Sequence, residues 1–297
     1  MFARPGLPPF DYLRAGTVDE AVALLLEYGE TARPVMGGTD LFANMRDGKI
    51  HPSVIVDVKH LPAIRDVVYD EGLGLTAGAA ATMNELARHG DVRARYPLLA
   101  QAAGAVASYQ IRNRATLGGN LCNASPCADT APAAIVLQAE FVLYGPKGER
   151  VVPAEAFFLG PGQTTLQPGE LMTTVHCPLP PPNAAARYLK LGRCRTGDLS
   201  LVGVAVLGFR DGTASGYRFR IALGSVAPTP VRALDAEEFL AENPLDEEAF
   251  VQAAEKAVAA ASPITDVRGT AQYQRAMVRT LTLRGLRDVW AQLKEGK

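Results

Sequence analysis

Apolar positions recur at helical spacing over residues 21–28, 97–108, 132–139, 236–242, 246–261 and 273–293. Short apolar runs fall at 33–36, 54–58, 73–77 and 141–144. The first spacing predicts helices and the second buried strands. Thr17-x-x-Glu20 and Thr82-x-x-Glu85 are capping boxes at two helix starts, and Gly29 and Gly90 stand where those helices should end. Lys147-Gly148 predicts a hairpin-type turn. Helix and strand alternate as far as residue 178, where Pro178, Pro180, Pro181 and Pro182 form a stiff connector. Beyond it, 188–191, 200–210 and 217–225 read as strands of an antiparallel sheet ahead of the last helices. The pattern predicts a pair of α/β lobes over 1–178 and an α+β unit over 183–293.

At 297 residues the chain can bury a large core and form two or three lobes. A hydrophobic content of 48% with 21% charged residues suits an ordinary globular protein. A net charge of −1 argues against a nucleic-acid partner, which would leave a basic face. No apolar run approaches the roughly 18 residues of a membrane helix, and the start has no signal-peptide pattern. Four cysteines make no disulfide framework, so the expected compartment is the cytoplasm. Cys122-x4-Cys127 begins like a plant-type iron–sulfur pattern, but the next required position holds Thr130, and no metal site is expected. Gly72-x-Gly74-x-x-x-Gly78 misses the dinucleotide-binding spacing by one residue. His51, His60, His89 and His176 lie in contexts that nominate no base, and no catalytic residue is assigned.

Two glycine pairs change the picture. Residues 111–129 place Gly118-Gly119 beside Thr116 and Asn120 in what reads as a loop opening the 132–139 helix, with Asp129 or Thr130 as its cap. Nearer the N-terminus, Val35-Met36-Gly37-Gly38-Thr39-Asp40-Leu41 follows a helix and a short strand. Adjacent glycines let backbone N–H groups converge on an anion, because no Cβ stands in the way. One such pair is more often a plain loop. Two of them could hold a diphosphate from both sides, provided both reach one molecule. Asp129 could cap the helix, accept from ligand hydroxyls, or do both. Arg112 and Arg114 could neutralise phosphate or meet acids of a neighbouring subunit, and Tyr109 could pack on a ligand or in the core.

The segments MGGTDLFANMR, TLGGNLCNASPCAD and YLKLGRCRTGD, in this order, resemble the FAD-binding medium subunit of molybdenum hydroxylases, the xanthine dehydrogenase and carbon monoxide dehydrogenase family. The resemblance covers nearly the whole chain. It implies an α+β architecture: a vanillyl-alcohol-oxidase-like (PCMH-type) FAD-binding fold in two subdomains, about 1–57 and 58–178. A C-terminal antiparallel sheet with a three-helix bundle would follow over 183–293. It also implies that FAD is held by Val35, Met36, Gly37, Gly38, Thr39, Asp40, Leu41, Thr116, Gly118, Gly119 and Asn120. Asp129 would join them, with Met172 against the flavin ring and Lys190 beside it. Relatives often read Arg-Arg where this chain has Arg193-Cys194, with Arg195 next in line.

The implied function is an electron-transfer subunit. Electrons from a molybdopterin large subunit would pass through [2Fe-2S] clusters of a small subunit to FAD on this chain, and on to an external acceptor. The assembly would be a dimer of heterotrimers. A stand-alone FAD oxidoreductase and a flavin-free scaffold subunit are the alternatives.

Overall fold

A computed structural model describes residues 6–194 and 196–295. The first sheet is small and parallel. Strands β1 (Asp11–Arg14), β2 (Ala32–Val35) and β3 (Val54–Asp57) lie in the order β1-β3-β2, with helices α1 (Val18–Tyr28) and α2 (Leu41–Arg46) between them in sequence. Every residue of the central β3 is buried, as expected for a parallel strand covered on both faces. Thr17 Oγ1 accepts from Glu20 N (3.1 Å) to cap α1, and Glu20 returns a bond to Gly16 N (2.7 Å). Gly29 terminates α1 at φ +52°, as the sequence predicts.

The second sheet is antiparallel, which the predicted alternation did not anticipate. After β4 (Val67–Asp70) and β5 (Gly74–Gly78), six helices come in one block. These are α3 (Met83–Arg88), α4 (Gly90–Arg95), α5 (Pro97–Ala105), α6 (Tyr109–Arg112), α7 (Leu117–Cys122) and α8 (Thr130–Val136). Then follow β6 (Glu140–Gly145), β7 (Gly148–Pro153), α9 (Ala154–Phe157), β8 (Phe158–Gly160), β9 (Gln163–Thr164) and β10 (Leu171–Cys177). The sheet order is β4-β5-β10-β6-β7. A block of helices inserted once into a meander cannot supply the crossovers that parallel neighbours require. The central β10 escapes the apolar pattern because Thr173, Thr174 and His176 interrupt it. Gly90 opens α4 rather than closing a helix, and the predicted 97–108 helix breaks at Ala107 (φ +39°).

Strands β11 (Ala185–Leu191), β12 (Val202–Arg210), β13 (Tyr217–Gly224) and β14 (Val231–Arg232) form an antiparallel sheet in sequence order. Helices α10 (Leu234–Glu242), α11 (Glu247–Ala259) and α12 (Ala271–Glu295) stack on this sheet. Helices α5 and α8 of the preceding unit also pack against it. All of β12 but its last residue is therefore buried. The result is the α+β architecture expected, with both glycine pairs on the N-terminal side. Among the described residues no helix is long and apolar enough to cross a membrane.

Candidate functional site

Ligands of parallel sheets bind outside the carboxyl ends of the strands. The first glycine pair leaves β2 at that edge. Gly38 has φ +73°, a conformation that favours glycine, and a Cβ on it would lie 2.6 Å from the Phe42 ring. The N–H groups of Gly37, Gly38, Thr39 and Asp40 donate to no group among the described residues, so four amides in succession are free for a ligand. Val35 is buried beneath the loop, and Leu41 opens α2.

The second pair is built differently, and the predicted amide cradle is corrected there. Gly118 and Gly119 lie inside α7, not in a loop. Thr116 Oγ1 accepts from Gly119 N (3.1 Å), Gly118 N donates to Ala79 O (2.8 Å), and Asn120 N donates to Thr116 O (3.0 Å). All three amides are already used within the chain. The missing Cβ at Gly118 serves packing instead, since one there would lie 2.6 Å from Ala79 Cβ. Asn120 Oδ1 accepts from Thr130 Oγ1 (2.6 Å), tying α7 to α8.

The two segments nevertheless meet. A Cβ on Gly37 would stand 2.2 Å from Arg114 O, and Thr116 Oγ1 lies 3.7 Å from Met36 Sδ. Beside this contact a cavity of about 650 Å³ opens between the first sheet and the helix block. Lys59, Arg65, Arg88 and Arg114 face it with His60 and His89, against the single acid Glu85, so it favours an anion. The sequence reading missed this set except Arg114. Its signal was positional: Lys59 and His60 follow directly on the carboxyl end of β3, a ligand edge in any parallel sheet.

Lys59 is fixed by a buried carboxylate. Its Nζ bonds Asp57 Oδ2 and donates to Tyr12 Oη (2.8 Å), while Tyr12 Oη donates to Asp57 Oδ2 (2.5 Å). Burial works to raise the Asp57 carboxyl, but the bonds from Lys59 and Tyr12 outweigh it and hold the group below the ordinary carboxylate range. Lys59 moves the opposite way for the same reason: burial disfavours its charge, and Asp57 and Tyr12 restore it and more.

A second group of expected residues sits deeper. Tyr188 and Lys190, two apart on β11, share one face of the strand. Tyr188 Oη donates to Asp129 Oδ1 (2.8 Å), and Lys190 Nζ donates to Asp129 Oδ2 (2.7 Å) and to Ala105 O (2.9 Å). Asp129 occupies the N-cap position of α8, yet its side chain makes no capping bond. Neither carboxylate oxygen is without a partner. Because Lys190 carries its counterion with it, a nearby flavin would meet a dipole rather than a bare cation.

Met172 is 1% exposed, with its side chain packed within the core of the second sheet. Tyr109 is exposed, with the Arg88 guanidinium 5.0 Å from its ring centre. Arg112 donates to Asn84 Oδ1 (3.1 Å), Val106 O (2.9 Å) and Ala107 O (3.1 Å), holding the break after α5. Arg193 pairs with Asp198 (2.9 Å), and Arg195 lies outside the described residues.

The cysteines are all free. Burial pushes the Cys177 thiol up to about 12, whereas Cys194 is exposed. In a thiol titration of the native protein at pH 8, Cys194 should react promptly and Cys177 only after denaturation; early modification of Cys177, mapped by mass spectrometry, would contradict this burial.

A run of unpaired amides, a glycine whose missing Cβ lets two segments meet, and a cation-walled cavity fit the diphosphate of a flavin dinucleotide. The sequence pattern of the family described as "FAD binding domain in molybdopterin dehydrogenase" matches residues 8–180, and that of the "CO dehydrogenase flavoprotein C-terminal domain" matches residues 187–289. The chain is 37% identical to the carbon monoxide dehydrogenase medium chain of Hydrogenophaga pseudoflava, covering 96% of this chain and 98% of that one. It is 29% identical to the xanthine dehydrogenase FAD-binding subunit of Escherichia coli O157:H7, covering 91% and 92% respectively. Among solved structures, a carbon monoxide dehydrogenase from Hydrogenophaga pseudoflava superposes with a TM-score of 0.92 at 36% identity, over 97% of this chain and 99% of that chain. Quinoline 2-oxidoreductase from Pseudomonas putida superposes with a TM-score of 0.89 at 27% identity, over 96% and 98%. The chain thus belongs to the family of FAD-binding medium subunits of molybdopterin dehydrogenases and is an oxidoreductase subunit.

Proposed function

We propose that this chain carries FAD and passes electrons from [2Fe-2S] clusters of a small partner subunit to an external acceptor. A molybdopterin-bearing large subunit would supply the electrons, within a dimer of heterotrimers. The observation that carries the cofactor reading is the free amide run at Gly37, Gly38, Thr39 and Asp40, which follows Met36 and lies against Arg114, two residues that line the cationic cavity. The relatives' names support the assembly: they are a medium chain and a FAD-binding subunit of dehydrogenases.

When bound, FAD supplies a carrier that takes up and releases electrons. The protein's part is to hold it, exclude water and set its surroundings. Amides of residues 37–40 would meet the diphosphate, with Val35, Met36 and Leu41 shaping the loop. Thr116, Gly118, Gly119 and Asn120 would border the cofactor through packing and side chains rather than through their amides. Asp129 and Lys190 would act on the flavin end as one neutral pair.

Purified chain mixed with FAD should become yellow, retain the flavin through gel filtration at near-equimolar ratio, and co-purify from its native extract with iron–sulfur and molybdopterin subunits. A colourless protein that takes up no FAD ends the cofactor reading. A yellow protein that co-purifies with neither partner ends the assembly reading.

A further inference from the structure

We infer that Lys59 is a preset phosphate-binding cation for the dinucleotide, with Asp57 and Tyr12 as its positioning residues. This rests on the proposed FAD site and adds to it a residue outside both glycine pairs.

Lys59 stands just past the carboxyl end of β3, and the free amide run stands just past the carboxyl end of β2. The two strands are parallel neighbours, with Val35 paired to Asp57, so both features open on one edge of the sheet. Lys59 also faces the same cavity as Met36 and Thr116, which join the two glycine segments. An ammonium has three protons to donate. Two are taken by Asp57 Oδ2 and Tyr12 Oη, both on the sheet, and one remains. Asp57 is 3% exposed, and its other oxygen accepts from Lys59 N (3.1 Å), so the carboxylate cannot swing away.

A lysine on a flexible stem normally loses rotamer freedom when it meets a ligand. Here the ordering is complete before the ligand arrives. Arg65, Arg88 and Arg114 line the same cavity but are exposed at its rim. Arg65 faces Glu85 at 3.8 Å and Arg88 donates to Tyr109 Oη (2.9 Å). Lys59 is the half-buried one of the four, with a single remaining donor and a fixed origin.

The test titrates the full-length apoprotein with FAD and with riboflavin, which has the ring and ribityl chain but no phosphate, following flavin fluorescence at several salt concentrations. Lys59→Gln should weaken FAD binding about tenfold or more, the range of a charge-assisted hydrogen bond. It should leave riboflavin binding unchanged and flatten the dependence of FAD affinity on salt. Because Lys59→Gln alone strands the Asp57 carboxylate, Asp57→Asn/Lys59→Gln is measured beside it, and the same selective loss is expected with both charges gone. An equal loss for FAD and riboflavin, or an unaltered salt dependence, would overturn the assignment, as would wild-type FAD affinity in the double variant. Wild-type protein that binds riboflavin and FAD alike overturns it too, while wild-type protein that binds neither brings down the FAD reading with it.

Discussion

Gly37→Ala should cut FAD affinity by about tenfold to a hundredfold. The added methyl would stand 2.2 Å from Arg114 O, 2.9 Å from Arg114 C and 3.1 Å from Ala115 Cα. These are backbone atoms, so no rotamer change relieves the clash. The chain must open the seam between the β2 loop and the segment entering α7. Overpacking of this kind costs about 1–3 kcal/mol, and a factor of ten in affinity corresponds to about 1.4 kcal/mol. Most of the strain should appear in binding, because opening the seam moves the four free amides relative to the cavity wall. Gly104→Ala is the matched control: its nearest contact would be 3.9 Å away, and in α5 alanine is the better helix former. Equilibrium titration with FAD and thermal melts of both variants check this. Near-wild-type FAD affinity in Gly37→Ala with an intact fold would remove the seam from the site.

Gly119→Ala should do much less. Its Cβ would meet Thr116 Oγ1 at 2.8 Å, a side-chain hydroxyl that caps α7. The contrast separates two glycine pairs that look equivalent in sequence. One pair is there for free amides, the other for close packing, and only the hydrogen-bond partners distinguish them.

That difference marks where the sequence stops being legible. Local patterns came through well: the Thr82 capping box forms in full, Thr17 caps α1 although Glu20 accepts from Gly16 N and not from Thr17 N, the Gly29 terminator has positive φ, and the three C-terminal helices lie within about two residues of their predicted spans. These depend on neighbours in sequence. The second sheet did not come through, because antiparallel order depends on where a six-helix block is inserted, and no local periodicity records that. The site divides the same way. The Val35–Leu41 loop could be seen as a turn of bare amides from its glycines alone. Asp129 could be seen as a helix cap, but its actual partners, Tyr188 and Lys190, lie 59 and 61 residues away. Met172 was placed against the flavin ring by resemblance alone, because the strand that carries it was not legible in the apolar pattern. Lys59 was passed over for the opposite reason: nothing in its own sequence is unusual, and its meaning comes from the edge of the sheet where it stands.

The Asp129–Lys190 pair joins the helix block to the C-terminal sheet, and removing half of it should be costly in a pH-dependent way. Burial raises the Asp129 carboxyl above its ordinary range, with Lys190 and then Tyr188 working against that rise. An acid raised in the folded state contributes stability that is complete below its unfolded value, near 4, and is lost as pH climbs through the folded value. Lys190→Met removes the main opposing influence, so the folded value should rise further and the loss should grow. Breaking a buried pair typically costs about 3–5 kcal/mol. The lysine side chain is 15% exposed, so about 3 kcal/mol is expected at pH 8. At pH 4 the carboxyl is protonated in the variant, and the deficit should shrink to the lost Ala105 bond and the changed packing. Asp129→Asn/Lys190→Met, with neither charge, should recover most of the stability at pH 8 and lose the pH dependence. Denaturant unfolding of the wild type and the two variants at both pH values measures this directly. A deficit in Lys190→Met that is the same at pH 4 and pH 8, or a double variant no more stable than the single, would mean that the pair is not held together by charge across this junction.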